Sequence, residues 1–282
     1  MRRVVGIVVV LGALAGCASG VAPGAALTAT STEPAAVTVD KVVAPAPAPI
    51  AAVDLSALPV ADPWAVLPAA PVDPDPGTMP SGLLAAPADA AGAALYDAPS
   101  GTPFAVLPRA AYLGDTSYPV VAQQGDWYQV LLTVRRGLPS QVGPAGVNEA
   151  TGWVRAADVT TSTTDVAIRA SLSAGTVELL RGGQVVATSQ AGHGRPSTPT
   201  PITRTFVMSI YPDATATYSR LFVTFGAHSP TLDSFLSGPA PIAIHVYPTH
   251  SGAISNGCLR IPADMLDTFA AVPLGTPVLI TA

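Results

Sequence analysis

The sequence predicts a mainly β protein, on three observations. From about residue 93 onward, short apolar runs recur at close spacing between Gly, Pro, Asn and Asp, the pattern of short strands joined by tight turns. Val177, Leu179 and Leu180 on one side, and Val185 and Val186 on the other, flank Arg181, Gly182 and Gly183, a hairpin signal. Only one stretch, 262–270, reads as a helix, and it is short, with Pro262 at its first turn. The first third has a different texture, crowded with Ala, Pro and Val. Charged residues make up 11% of the chain, against about 25% in an average globular domain. The 282 residues have room for about two domains.

The N-terminus reads as an export signal. Arg2 and Arg3 precede an apolar run over 4–13, too short for a bilayer that needs roughly 20 apolar residues; this is the pattern of a cleaved secretory signal. The run ends Leu14, Ala15, Gly16, Cys17 and resembles the bacterial lipobox. The resemblance implies a signal peptide over 1–16 and a lipid on Cys17. That lipid would anchor the protein on the outer face of the cytoplasmic membrane, to act in the cell wall. Stable anchoring takes two or more acyl chains, since each buried CH₂ contributes about 0.8 kcal/mol. The alternative is an ordinary secreted protein with a chance cysteine.

Residues 17–90 read as a lipid-anchored, disordered Ala/Pro-rich linker. Tracts such as Pro71, Val72, Asp73, Pro74, Asp75, Pro76 lack backbone donors at every proline and favour extended conformations. About 70 such residues reach on the order of 200 Å if stiff and nearer ~50 Å as a coil. Trp64 reads as an incidental exposed aromatic or a weak docking contact.

Residues 91–161 carry a small β module. The stretch Gly125, Asp126, Trp127, Tyr128, Gln129, Val130, Leu131, Leu132 and the stretch Gly152, Trp153, Val154, Arg155 resemble bacterial SH3-like domains, which implies a small barrel. Trp127 and Trp153 either form a ligand platform or pack the barrel, as large aromatics do in small cores.

Residues 162–282 hold the chemical signal. Strand-like runs lie at 205–210, 221–225, 242–247 and 277–280. The turn Ser255, Asn256, Gly257, Cys258, Leu259, Arg260 presents a cysteine behind a glycine, where successive N–H groups can converge on an oxyanion. A thiol of pKa near 8.5 needs a base to react at neutral pH. His245 ends an apolar strand thirteen positions upstream, far enough for a strand end, a loop and a return.

The run Ile242, Ala243, Ile244, His245 with the turn 255–260 resembles the L,D-transpeptidase catalytic (YkuD-type) domain. That family carries an Ile-x-Ile-His strand and a Ser-His-Gly-Cys turn. Gly192 to Gly194, with Thr198, Pro199, Thr200 and Pro201, and the closing Gly275, Thr276, Pro277, Val278, fit the same pattern. The resemblance implies a β-sandwich catalytic domain with a short helix, preceded by the SH3-like barrel. Cys258 would be the nucleophile and His245 the base, oriented by the Val246 carbonyl. The N–H groups of Asn256, Gly257 and Cys258 would form the oxyanion hole, and Ser255 would support the turn or the stem's carboxylate. Arg260, His228 and His250 are substrate-binding candidates. Arg260 is equally readable as a structural ion pair, His228 as a loop histidine and His250 as a substitute base; His193 reads as structural or surface. The implied partners are peptidoglycan stem tetrapeptides as donor and acceptor, and carbapenem β-lactams as covalent inhibitors. The sequence departs from the family in carrying Asn256 where a histidine is usual and in a longer loop between base and cysteine.

Other classes fit poorly. The net charge is −5 and no basic stretch interleaves with aromatics, so nucleic acid is a poor partner. No CxxC or HExxH spacing marks a metal site, and no cofactor is expected. A Cys17–Cys258 disulfide and an inert buried Cys258 are the bland readings of the cysteines. The competing functions are a non-catalytic wall-binding lipoprotein with a decayed catalytic domain, and the same chemistry with a protein amine or water as acceptor.

Overall fold

The computed structural model describes residues 53–282; the export signal, Cys17 and the spacer up to residue 52 lie outside the described residues. The described residues are mainly β. The first sheet is built from β1 (Leu83–Pro87), β2 (Ala93–Tyr96), β3 (Pro103–Leu107), β4 (Tyr118–Gln124), β5 (Trp127–Leu131), β6 (Thr151–Arg155) and β7 (Val159–Thr163), in the order β3-β2-β6-β5-β4-β1-β7. A one-turn helix, α1 (Pro139–Val142), lies between β5 and β6.

The second sheet takes β8 (Val166–Ser171), β9 (Thr176–Arg181), β10 (Gln184–Gln190), β12 (Thr203–Tyr211), β13 (Phe222–His228), β14 (Pro241–Val246), β16 (Leu259–Ile261) and β17 (Pro277–Thr281). Its order is β10-β9-β8-β17-β12-β13-β14-β16. The short strands β11 (His193–Gly194) and β15 (Ala253–Ser255) pair in parallel beside it. The expected hairpin is β9–β10, its turn made by Gly182 and Gly183 at φ 54° and 75°, a conformation that glycine adopts without steric cost. The expected helix splits into a 3₁₀ turn (Ala263–Met265) and α2 (Leu266–Ala270), which buries Leu266 and Phe269.

Residues 53–82, expected as spacer, are instead built into the fold, and β1 extends the correction to residue 87. Ala61, Leu67 and Ala70 are buried in the first core. Val60, Val66 and Val72 each make a single β-bridge, to Val106, Arg135 and Ala150. Asp73 forms a bidentate ion pair with Arg204 of β12, at 2.5 and 2.6 Å, with both side chains almost fully buried. Proline removes a donor only at its own position; the Ala, Val and Leu between the prolines still fill a core.

The two sheets also share side chains. Phe206 and Met208 of β12 sit in the first core, with Tyr118 and Leu131, while Val207 between them sits in the second. Phe206, Val207 and Met208 are therefore consecutive apolar residues buried on both faces of the strand. The rings of Trp127 and Tyr96 meet edge to face at 4.9 Å. Trp127, Tyr96 and Ala94 form a small cluster covered by Val53, Leu55 and Trp153. Both tryptophans thus pack rather than offer a bare platform, and Trp64 is exposed.

Candidate active site

Strand alternation positions the candidate residues. Ile242 and Ile244 of β14, and Leu259 and Ile261 of β16, are buried in the second core. The intervening residues face the other way. Ala243, His245, Cys258 and Arg260 accordingly all line one groove of about 250 Å³. In the parallel ladder Ile244 pairs with Leu259 and His245 with Arg260. Continued by one residue, that register sets Cys258 across from Ala243, one side-chain step from His245. The thirteen-residue separation is therefore spanned as the sequence suggested, by a strand end, a loop and a parallel return.

The cysteine turn is braced from both sides. Ser255 Oγ donates to the Cys258 carbonyl at 2.6 Å and accepts from the Gly257 N–H at 3.0 Å. Gly257 has φ 122°, a backbone conformation that strains any residue with a Cβ, and a Cβ there would also press on the Ile242 terminal methyl at 2.9 Å. The Thr198 hydroxyl donates to the Ser255 carbonyl at 3.1 Å, and the Thr200 hydroxyl to the Gly257 carbonyl at 2.7 Å. The Arg195 guanidinium donates to Asn256 Oδ1. These bonds give the turn-support reading of Ser255 a geometry. They correct the reading of Gly257 as an oxyanion donor, because its N–H is already taken by Ser255.

His245 is held in one tautomer. Its Nδ1 lies 2.9 Å from the Val246 carbonyl; a carbonyl only accepts, so Nδ1 carries the proton and Nε2 is left with its lone pair. The ring is buried against Phe222 and Tyr218, with centroids 5.1 and 5.5 Å away. Burial pushes its pKa below the ordinary value, and the Arg260 charge adds to this against the Val246 bond. His245 is therefore a neutral base at neutral pH.

Cys258 is a free cysteine, half-buried as a residue. Burial of the sulfur pushes its pKa up; the Ala243 N–H, which faces it, and the Arg260 guanidinium pull it down. A raised thiol beside a lowered imidazole rests as a neutral pair rather than as thiolate and imidazolium.

The other candidates separate. Arg260 lines the groove, its guanidinium carbon 3.9 Å from the centre of the Tyr247 ring, a cation–π contact that fixes a charge in the groove. No ion pair to Arg260 is found among the described residues. His228 does not line the groove. It is fully buried at the end of β13, with Nδ1 2.9 Å from the Pro239 carbonyl and Nε2 2.7 Å from the Thr133 carbonyl. Enclosed by these two carbonyls and fully buried, it cannot bind substrate, which corrects that expectation. His250 also lies off the groove, its Nδ1 3.3 Å from the Tyr247 carbonyl, so neither its substrate-binding nor its substitute-base reading is supported.

Much of the groove wall was not foreseen from the sequence. Tyr211, Tyr218, Phe222 and Thr224 line it, and so do Pro63 and Tyr112 from the N-terminal part of the chain. Tyr112 packs on Tyr211 at 5.6 Å and Tyr211 stacks on Phe222 at 6.1 Å. Their spacing in sequence carries no signal for this. The Thr198-Pro199-Thr200 triplet was visible only as a resemblance, without its bracing role.

No curated protein matches the chain. Similar solved structures include an L,D-transpeptidase from Mycobacterium smegmatis, 14% identical, covering 55% of this chain and 91% of that one, at a TM-score of 0.35. L,D-transpeptidase 3 from Mycobacterium tuberculosis with a faropenem-derived adduct is 15% identical, covering 58% and 97%, at 0.36. A mutant L,D-transpeptidase from Enterococcus faecium is 18% identical, covering 61% and 72%, at 0.34. Residues 165–280, which hold both His245 and Cys258, match the family model of the L,D-transpeptidase catalytic domain.

Proposed function

We propose that this protein is a peptidoglycan L,D-transpeptidase that forms 3→3 cross-links through a thioester on Cys258. The observation that carries the reading is His245: Nδ1–H is committed to the Val246 carbonyl, and the lone pair on Nε2 shares a groove with the Cys258 sulfur. In the proposed reaction His245 takes the thiol proton as sulfur attacks the carbonyl of the third stem residue. The N–H groups of Asn256 and Cys258 remain to stabilise the oxyanion; losing one such donor typically costs about 3 kcal/mol. His245 returns the proton to the departing D-Ala. An amine of a second stem then displaces the sulfur. In this reading Arg260, its guanidinium stacked on Tyr247 in the groove wall, is the partner of a stem carboxylate; its fixed charge supports this.

The same reading makes carbapenem β-lactams covalent inhibitors and puts a lipid on Cys17, with the wall reached from the outer face of the cytoplasmic membrane. The test is to incubate the detergent-solubilised chain with stem tetrapeptides and to measure D-Ala release and product mass. The reading expects a cross-linked dimer lacking one D-Ala. Hydrolysis alone would assign water as the acceptor. No turnover would leave a non-catalytic wall-binding protein, with Asn256 as the mark of decay.

A further inference from the structure

Apart from Arg260, the groove around Cys258 has one more ionised side chain in its wall, Asp213. It follows Tyr211 at the end of β12, in the loop leading to β13. Its Oδ1 accepts bonds from the Thr215 N–H at 2.9 Å and the Thr215 hydroxyl at 2.7 Å. Oδ2 is left without a partner among the described residues. Those two bonds hold the carboxyl below its usual range, so it is charged whenever the enzyme works. Tyr211 and Tyr218 line the same groove as the Asp213 carboxylate and Cys258. The Thr224 side chain, almost fully buried, lines the same wall beside Tyr211.

We propose that Asp213, with the faces of Tyr211 and Tyr218, is the subsite that receives the attacking amine as an ammonium ion. This rests on the transpeptidase reading above and extends it from donor to acceptor. The two charges divide the work. Arg260 suits an anion, and Asp213 suits a cation; aromatic faces attract cations through their quadrupole. A primary ammonium held there loses one proton to solvent. The neutral nitrogen then attacks the thioester carbonyl, the C–S bond breaks, and the amide forms. The second nitrogen proton passes through His245 to the departing Cys258 sulfur, restoring the thiol.

The two half-reactions make this testable on the full chain in detergent. Wild type and Asp213→Asn are acylated with a stem tetrapeptide, and the acyl-enzyme is partitioned between hydrolysis and transfer. The acceptors are a lysine-containing stem tetrapeptide, which is cationic, and hydroxylamine, which is uncharged near neutral pH. Asn retains the Oδ1 acceptor for Thr215, so the loop keeps its shape. The proposal expects an acceptor KM about fivefold higher for the cationic stem, in line with an exposed charge contact. It expects more hydrolysis, no change with hydroxylamine, and recovery in Asp213→Glu. An unchanged KM and partition in Asp213→Asn, or an equal loss with hydroxylamine, overturns the subsite while leaving the transpeptidase reading intact. Failure of the wild type to acylate overturns both.

Discussion

Two histidines end neighbouring strands of the second sheet, and they differ in what their second nitrogen does. His228 closes β13 with one nitrogen against the Pro239 carbonyl and the other against the Thr133 carbonyl. Its backbone is gripped as well: Asn148 accepts from the His228 N–H at 2.8 Å and donates to the His228 carbonyl at 2.9 Å. It belongs to the seam where the N-terminal part of the chain meets the second sheet, a seam that also buries the Asp73–Arg204 pair. His245, near the end of β14, spends one nitrogen on Val246 and keeps the other for the groove. Burial lowers the pKa of both rings. Neither burial nor a shifted pKa therefore tells the two histidines apart; the uncommitted nitrogen does.

That contrast can be broken by substitution. His245→Gln removes the base and is expected to slow acylation of Cys258 about a hundred- to ten-thousand-fold. Loss of the Val246 bond should cost about 1 kcal/mol of stability. In the wild type the acid limb of the acylation rate should fall below pH ~6.5, because His245 is held under its ordinary value. A stopped-flow acylation profile across pH checks both; an unchanged rate in the variant would remove His245 from the mechanism.

In the seam the opposite pattern is expected. Asp73→Ala leaves Arg204 buried without its partner and should cost about 3–5 kcal/mol, read as a lower denaturant midpoint. His228→Gln should cost about 1–3 kcal/mol for the disturbed buried contacts. With the folded pKa lowered, the unfolded chain takes up the proton first. Wild-type stability should therefore fall as pH drops through about 6.5, and His228→Gln should flatten that fall. The folded fraction of either variant should keep its acylation chemistry. A loss of acylation in His228→Gln without loss of stability would erase the distinction between the two histidines.

What the sequence made legible follows from chain-local physics. Alternation in 242–245, the glycine before Cys258 and the Gly182–Gly183 turn are all short-range signals, and the strands, the groove-facing pair and the hairpin followed from them. Three-dimensional placement was not legible. Residues 53–82 read as spacer because proline density dominates their composition, yet Ala61, Leu67 and Ala70 reach a core and Asp73 finds a partner 131 positions away. His228 looked accessible because Gly226, Ala227, His228, Ser229 reads as a loop. Two carbonyls from elsewhere in the chain enclose it. Tyr112 and Pro63 join the groove by the same kind of distant contact.

The central claim is that the Cys258 sulfur is an acylated nucleophile served by His245. The most direct measurement is the intact mass of the chain after exposure to a carbapenem, for wild type, Cys258→Ala and His245→Gln. The account predicts one adduct on wild type, mapped to the peptide containing Cys258, none on Cys258→Ala and a much slower one on His245→Gln. An adduct that survives Cys258→Ala, or none on the wild type, would contradict it.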